Sequence, residues 1–191
     1  MNEITPTQMP WISEGYRVFA QEGPSGLKVE RLARQVNKNK SSFYHHFADL
    51  EVFTNFLLRY HLLRADIIAE KESQCTSMDA LIEVLVEHKL DLLFNRQLRI
   101  HRQNKDFATC FEQTNQHVGN AILGIWASML GLTENSYLAA LVLKLSLENF
   151  YLQITEETLN PQWLSAYFQQ LQEMVREFKK MGDFVPFNGG Q

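Results

Sequence analysis

The run Val36-Asn37-Lys38-Asn39-Lys40-Ser41-Ser42-Phe43-Tyr44-His45-His46-Phe47 decides how this chain is read. The segment before it, Val29 to Val36, places apolar residues at 29, 32, 33 and 36. That is the i, i+3, i+4, i+7 spacing of one helical face. Ala33 is small where two helices must cross closely. Asn37 follows the last apolar position, and Asn tolerates positive φ at a helix end. Asn39 is placed to cap the next helix. That helix hides Phe43 and Phe47 and shows Lys40, Ser41, Ser42, Tyr44, His45 and His46. One cation and two small hydroxyls at its start keep it slim enough to sit deep in a DNA major groove. The stretch therefore reads as the turn and second helix of a helix-turn-helix.

Charge supports the reading once it is divided. The 191 residues carry a net −4, yet residues 11–47 hold six cations against three acids. That segment is +3 and the remainder −7, a small basic head on an acidic body. No run approaches the length of a membrane-spanning helix. Met1 to Pro10 is polar and lacks a signal-peptide hydrophobic region, so a cytoplasmic protein with no membrane association is expected. Cys75 and Cys110 form no CxxC pair and read as reduced thiols, Cys110 as a small buried hydrophobe.

Outward from the motif the chain reads as helix after helix, about nine in all, with no strand-rich region. The first runs from about Pro10 to Gln21 with Ile12, Tyr16, Phe19 and Ala20 inward, and Gly23-Pro24-Ser25-Gly26 breaks it. The fourth starts at an Asp49 cap and runs to about Lys71. Its apolar row is Leu50, Phe53, Leu57, Tyr60, Leu63 (or Arg64) and Ile67. Ser77 caps the fifth, with Leu81, Leu85, His88 and Leu92 in a row. A short sixth holds Arg96, Arg99 and Arg102. The seventh spans about Lys105 to Leu130 and ends at Gly131. The eighth starts at a Thr133 cap and runs to about Glu157. The ninth starts at Asn160-Pro161 and stops at Gly182. The expected architecture is all-α. A three-helix head (1–48) sits on a helical effector-binding and dimerisation body (49–182), followed by a tail (183–191).

In order, Phe19 with Gly23, Leu32-Ala33 and Phe43-Tyr44-His45-His46-Phe47 before an acidic-apolar helix start resemble the TetR family of bacterial transcriptional regulators. The resemblance covers about residues 10–60. It implies a homodimer whose third helices enter the major groove. It also implies a small-molecule pocket in the body and a four-helix interface made by the last two helices of each subunit. By position in the motif, Lys40, Ser41, Ser42 and Tyr44 match groove-facing positions. His46 and the start of the fourth helix match backbone-contact positions. Three positions depart from the family pattern. Asn37 replaces a turn glycine. Lys28-Val29-Glu30 stands where a Ser or Thr usually meets the DNA backbone. Leu50, beside Glu51, replaces a usual Lys.

The candidate DNA-contact set is Lys28, Lys38, Lys40, Ser41, Ser42, Tyr44, His45 and His46. Lys40 reads as a phosphate or mixed contact, and Tyr44 as a backbone contact through its hydroxyl. Adjacent His45 and His46 point about 100° apart on a helix and do not share an ion. No other histidine has ligand spacing, so neither metal nor cofactor is expected. The candidate effector pocket is His88, Phe107, Phe111, Asn115, His117, Trp126 and Tyr151, with core packing as the alternative for the aromatics and a hydrogen-bonded core histidine for His88 and His117. The candidate dimer face is Ala139, Leu143, Leu147 and Phe150 on the eighth helix and Phe168, Leu171, Val175 and Phe178 on the ninth. The chain has no nucleophile-base-acid order in a suitable context, no Gly-rich phosphate loop and no paired carboxylate motif, so no enzyme and no catalytic residues are expected. The expected function is a repressor of an inverted-repeat operator in double-stranded DNA, released by a small apolar or aromatic effector. The alternative is a helical protein-interaction adaptor without sequence-specific DNA binding, which leaves the slim, capped third helix unexplained.

Overall fold

Capping side chains set where the helices begin. In the computed structural model, which describes residues 4–183, Asn39 Oδ1 accepts from Ser42 N at 2.8 Å and Asp49 Oδ1 from Val52 N at 2.8 Å. Ser77 Oγ accepts from Ala80 N at 3.2 Å and Asn160 Oδ1 from Trp163 N at 2.9 Å. Each satisfies an amide that the first helical turn leaves without a partner. The described elements are α1 (Met9–Glu22), a 3₁₀ turn (Pro24–Gly26), α2 (Val29–Gln35), α3 (Lys40–His46), α4 (Leu50–Ser73) and α5 (Met78–Glu87). They continue with α6 (Lys89–Ile100), α7 (Lys105–Met129), α8 (Ser136–Gln153) and α9 (Pro161–Asp183). No strand occurs among the described residues, and none of their helices is long and apolar enough to cross a membrane.

Several boundaries differ from expectation. The row Leu81, Leu85, His88, Leu92 is split, because α5 ends at Glu87 and α6 starts at Lys89. Arg102 lies in the turn after α6. Asn135, not Thr133, caps α8, accepting from Leu138 N at 2.9 Å. α8 stops at Gln153 because Thr155 and Thr158 form their own hydrogen-bonded turn, with Thr155 N donating to Thr158 Oγ1 at 2.7 Å. α9 continues through Gly182 to Asp183, and the rest of the expected tail, 184–191, lies outside the described residues.

The long α4 buries a different face from the one expected beyond its middle. Phe53 and Leu57 are buried, but Leu63 and Ile67 are 55% and 43% exposed. The inward row continues through His61, Ala65, Ile68 and Glu72. That row keeps helical spacing, so α4 holds one straight face against α7 and α6 while polar groups enter the interior.

Head and body share one apolar core. Phe94 of α6 is fully buried in a stack between Tyr16 (4.3 Å between ring centroids), Phe19 (4.4 Å) and His61 (4.5 Å). Gly15 of α1 lies so close to α4 that a Cβ there would collide with the Phe53 ring. α1 is thereby clamped to both α4 and α6.

Candidate nucleic-acid interface and body cavity

The turn between α2 and α3 is built by one left-handed residue. Asn37 has φ 54°, and Lys38 N donates to Ala33 O at 2.8 Å, closing the C-terminus of α2. α3 then packs through fully buried Phe43, whose ring meets Trp11 at 5.4 Å, Phe47 at 5.2 Å and Phe53 at 5.3 Å. Gln8 Nε2 donates to His46 O at 3.4 Å and ties the end of α3 to the start of α1. This packing turns Lys40, Ser41, Tyr44 and His45 to solvent and leaves Ser42 and His46 half-buried. Tyr44 is 55% exposed, its amphipathic ring edge-on to Phe43 at 5.5 Å between centroids. Lys28 and Lys38 flank the same surface and are exposed.

Glu30, an acid on the same side as the candidate phosphate contacts, is exposed and paired with Lys40 Nζ at 2.6 Å. The Lys40 ammonium holds its carboxyl below the usual carboxylate range. The pair is open to water and therefore easily exchanged for a phosphate. At the start of α4 the Asp49 carboxylate occupies the Val52 amide, and Leu50 is half-buried against the core.

The body contains a cavity of about 60 Å³ bounded by α4, α5, α6, α7, α8 and α9. Of the residues expected there, Trp126 and Tyr151 line it. The others do not line this cavity. His88 is buried beside Asp91, its Nδ1 3.1 Å from the carboxylate, and Phe107 packs edge-on against Phe19 at 5.4 Å. Phe111 is buried against Tyr151 at 5.5 Å and faces a separate outer groove between α7 and α8. Asn115 lies in that groove and accepts from Asn95 Nδ2 at 3.0 Å. His117 is exposed, with Nε2 3.1 Å from Asp66. The polar residues that do reach the cavity, His61, Glu72, Asp91 and Asn95 among them, were not expected there. For His61 and Glu72 on α4 the one signal was the continuation of the Phe53–Leu57 spacing through positions 61, 68 and 72.

A buried polar network joins the cavity wall to the head. Tyr16 Oη of α1 donates to Asp91 Oδ1 at 2.8 Å and lies 2.6 Å from His61 Nδ1. Arg64 grips Asp91 with two bonds, Nε to Oδ1 at 3.0 Å and Nη2 to Oδ2 at 2.9 Å. His61 Nε2 lies 3.3 Å from Asn95 Oδ1. Burial lowers the His61 pKa to about 4, so the ring is neutral near pH 7. Burial pushes the Asp91 carboxyl up, but Arg64, Tyr16 and His88 together hold it below the usual range. Burial, then Asp91, raises the Tyr16 hydroxyl well above its ordinary value. The network is thus one anion, one cation and neutral donors, fixed across α1, α4 and α6.

Residues 12–51 match the family model for bacterial regulatory proteins, tetR family. The match runs from α1 into the start of α4, and over this stretch the chain is similar to those regulators. Members of that family are DNA-binding proteins rather than enzymes. Three solved structures share the fold over nearly the whole chain. A transcriptional regulator from Rhodococcus sp. Rha1 has a TM-score of 0.66 at 15% identity, covering 95% of this chain and 100% of its own. The fatty acid degradation regulator FadR from Bacillus halodurans has a TM-score of 0.63 at 13% identity, covering 91% and 96%. Salmonella enterica GusR has a TM-score of 0.59 at 13% identity, covering 92% and 98%. Comparison with curated proteins returns no match. The fold of the chain is that of these three solved structures.

In the body the face expected to join two subunits is largely turned inward. Ala139, Leu143 and Phe150 of α8 and Phe168 and Val175 of α9 are buried within the chain, and Leu147 and Leu171 are half-buried. Of the expected set only Phe178 stands fully outside. The exposed apolar face is the next row round: Leu138, Leu141 and Leu145 of α8 with Met174 and Phe178 of α9. These flank a groove between the two helices. α8 is apolar nearly all round, which is why its inward and outward rows look alike in sequence.

Proposed function

We propose that the protein is a dimeric repressor that grips an approximately inverted-repeat operator in double-stranded DNA, in the cytoplasm, through the exposed face of α3. The observation that carries this is the rigidly backed α3, with Lys40, Ser41, Ser42 and Tyr44 presented on one slim surface. Lys40, Lys28, Lys38 and His46 serve as phosphate contacts, Ser41 and Ser42 let the helix approach base edges, and Tyr44 and His45 complete the footprint. Head (1–48) and body (49–182) meet at the N-terminal cap of α4. The cavity holds a small effector of mainly apolar character, and the Tyr16–Asp91–Arg64 network passes its effect to α1. An effector shifts the spacing of the two heads only by its differential affinity for the two states, about 1–3 kcal/mol of coupling.

The test is fluorescence anisotropy against the DNA upstream of the protein's own gene, over a range of salt. Lys40→Ala and Tyr44→Phe should each weaken binding with helicity unchanged. Each lost phosphate contact should reduce the magnitude of the log–log salt slope by about 0.9. Unchanged binding in both variants contradicts the assignment.

Dimerisation runs through the outer row of α8 and α9. Such an apolar surface is rarely left open to water on a monomer. Replacing Leu145, 63% exposed, and Phe178, 64% exposed, by Glu should convert a dimer into a folded monomer in light scattering. Monomeric wild-type protein at micromolar concentration, or a dimer that survives both charges, refutes this interface.

A further inference from the structure

We propose that the body cavity selects a compact apolar molecule bearing a protonated amine, with the Glu72 carboxylate as its counter-ion. The inference rests on reading the cavity as the effector site, and it names the class of effector. Glu72, near the C-terminus of α4, lines the cavity and is only 1% exposed. Its Oε2 is buried with no hydrogen-bond partner. Ile68, Leu81, Leu85 and Ile122 form much of the wall beside it. An unpaired buried carboxyl is costly, and the cost is offset when a ligand supplies the missing donor.

The other ionisable groups facing the cavity are His61 from α4, Asp91 from α6, Tyr151 from α8 and Tyr167 from α9, while α5 and α7 supply none. No Lys or Arg lines it. Asp91 is already engaged by Arg64, Tyr16 and His88, and Tyr167 Oη donates to Ser146 O at 2.9 Å. Glu72 is therefore the carboxyl left for a ligand. Its place in the last turn of α4, at the negative end of the helix dipole, also favours a cation over an anion.

The chemistry of binding is a proton exchange with a clear balance. Burial raises the Glu72 carboxyl to about 8, so near pH 7 it is mostly neutral in the empty protein. An ammonium that enters keeps its own proton. The carboxyl gives its proton to solvent, and the product is a buried ion pair. Affinity for such a ligand should therefore rise about tenfold per pH unit below pH 8, level off there, and fall once the free amine loses its own proton.

Three probes of similar shape test the inference: benzylamine, benzyl alcohol and benzoate. Calorimetry at pH 7 in buffers of different ionisation enthalpy reads affinity and proton release together. Benzylamine should bind tightest and release close to one proton, the alcohol should bind weakly without release, and benzoate should bind worst. Glu72→Gln should erase the preference for the amine while keeping the weak affinity for the alcohol, which shows that the cavity is intact. A preference for benzoate or the alcohol, binding of none of the three, or an amine preference that survives Glu72→Gln overturns the inference. Operator affinity is read separately by anisotropy. Glu72-dependent amine binding that leaves operator affinity unchanged upholds the ligand class and overturns effector release.

Discussion

Asp91→Ala is expected to destabilise the fold by about 3 kcal/mol, at the lower end of the range for breaking a buried ion pair. The substitution removes the acceptor for Tyr16 Oη and both bonds from Arg64, and it leaves His88 Nδ1 without its carboxylate. Arg64 is partly exposed and regains some hydration, which keeps the loss from being larger. Asp91→Asn retains an acceptor for Tyr16 and should lose less. Urea denaturation reads this as a lower midpoint at unchanged slope. Tyr16→Phe should cost about 1–2 kcal/mol, and the Tyr16→Phe/Asp91→Asn cycle should show coupling, since the two groups share a hydrogen bond. An Asp91→Ala loss below 1 kcal/mol would show that the network neither holds α1 to α4 and α6 nor can carry a signal between them.

Glu72→Gln is expected to stabilise the empty protein, by on the order of 3 kcal/mol at pH 7. The sign follows from proton counting. The folded carboxyl, raised to about 8, keeps a proton that the unfolded chain releases near 4.5. Its contribution is therefore full below the unfolded value and is lost as pH rises to about 8. His61 acts in the opposite sense. Its folded pKa, lowered to about 4 by burial, makes stability fall as pH drops from 6.5 towards 4. Between about 4.5 and 6.5 the two slopes cancel, so the wild type should be nearly flat there. It should then lose about 1.4 kcal/mol per pH unit up to 8. Glu72→Gln should instead rise from pH 4 to 6.5 and stay level above it. Parallel curves for the two proteins across pH 5–8 would mean that Glu72 ionises freely in the fold.

What was legible in the sequence was local. Asn37, Asn39, Asp49, Ser77 and Asn160 act within a few residues of themselves, and the structure places each at the helix end its side chain suits. The helix-turn-helix was readable because its inner face, Val29, Leu32, Ala33 and Phe43, is set by spacing alone. What was not legible depends on partners distant in sequence. Asp91 is tolerable inside only because Tyr16 and Arg64, 75 and 27 residues away, meet it there. Glu72 is buried by helices that the linear pattern does not bring together. On α8 the leucines at 138, 141, 143, 145 and 147 leave no polar face to mark the outside, so spacing alone does not tell the buried row from the exposed one. Aromatic residues such as Phe107 and Phe111 gave no sign of whether they fill the core or line a cavity.

The most direct measurement of the central claim is hydroxyl-radical footprinting of the wild-type protein on the DNA upstream of its own gene. The Lys40→Ala/Tyr44→Phe double variant is run beside it. Two symmetric protected half-sites about one helical turn, roughly 34 Å, or a multiple of it apart, lost in the double variant at the same protein concentration, are what a two-fold pair of α3 helices predicts. Protection without symmetry, or a symmetric footprint that the double variant reproduces, would contradict DNA recognition through α3.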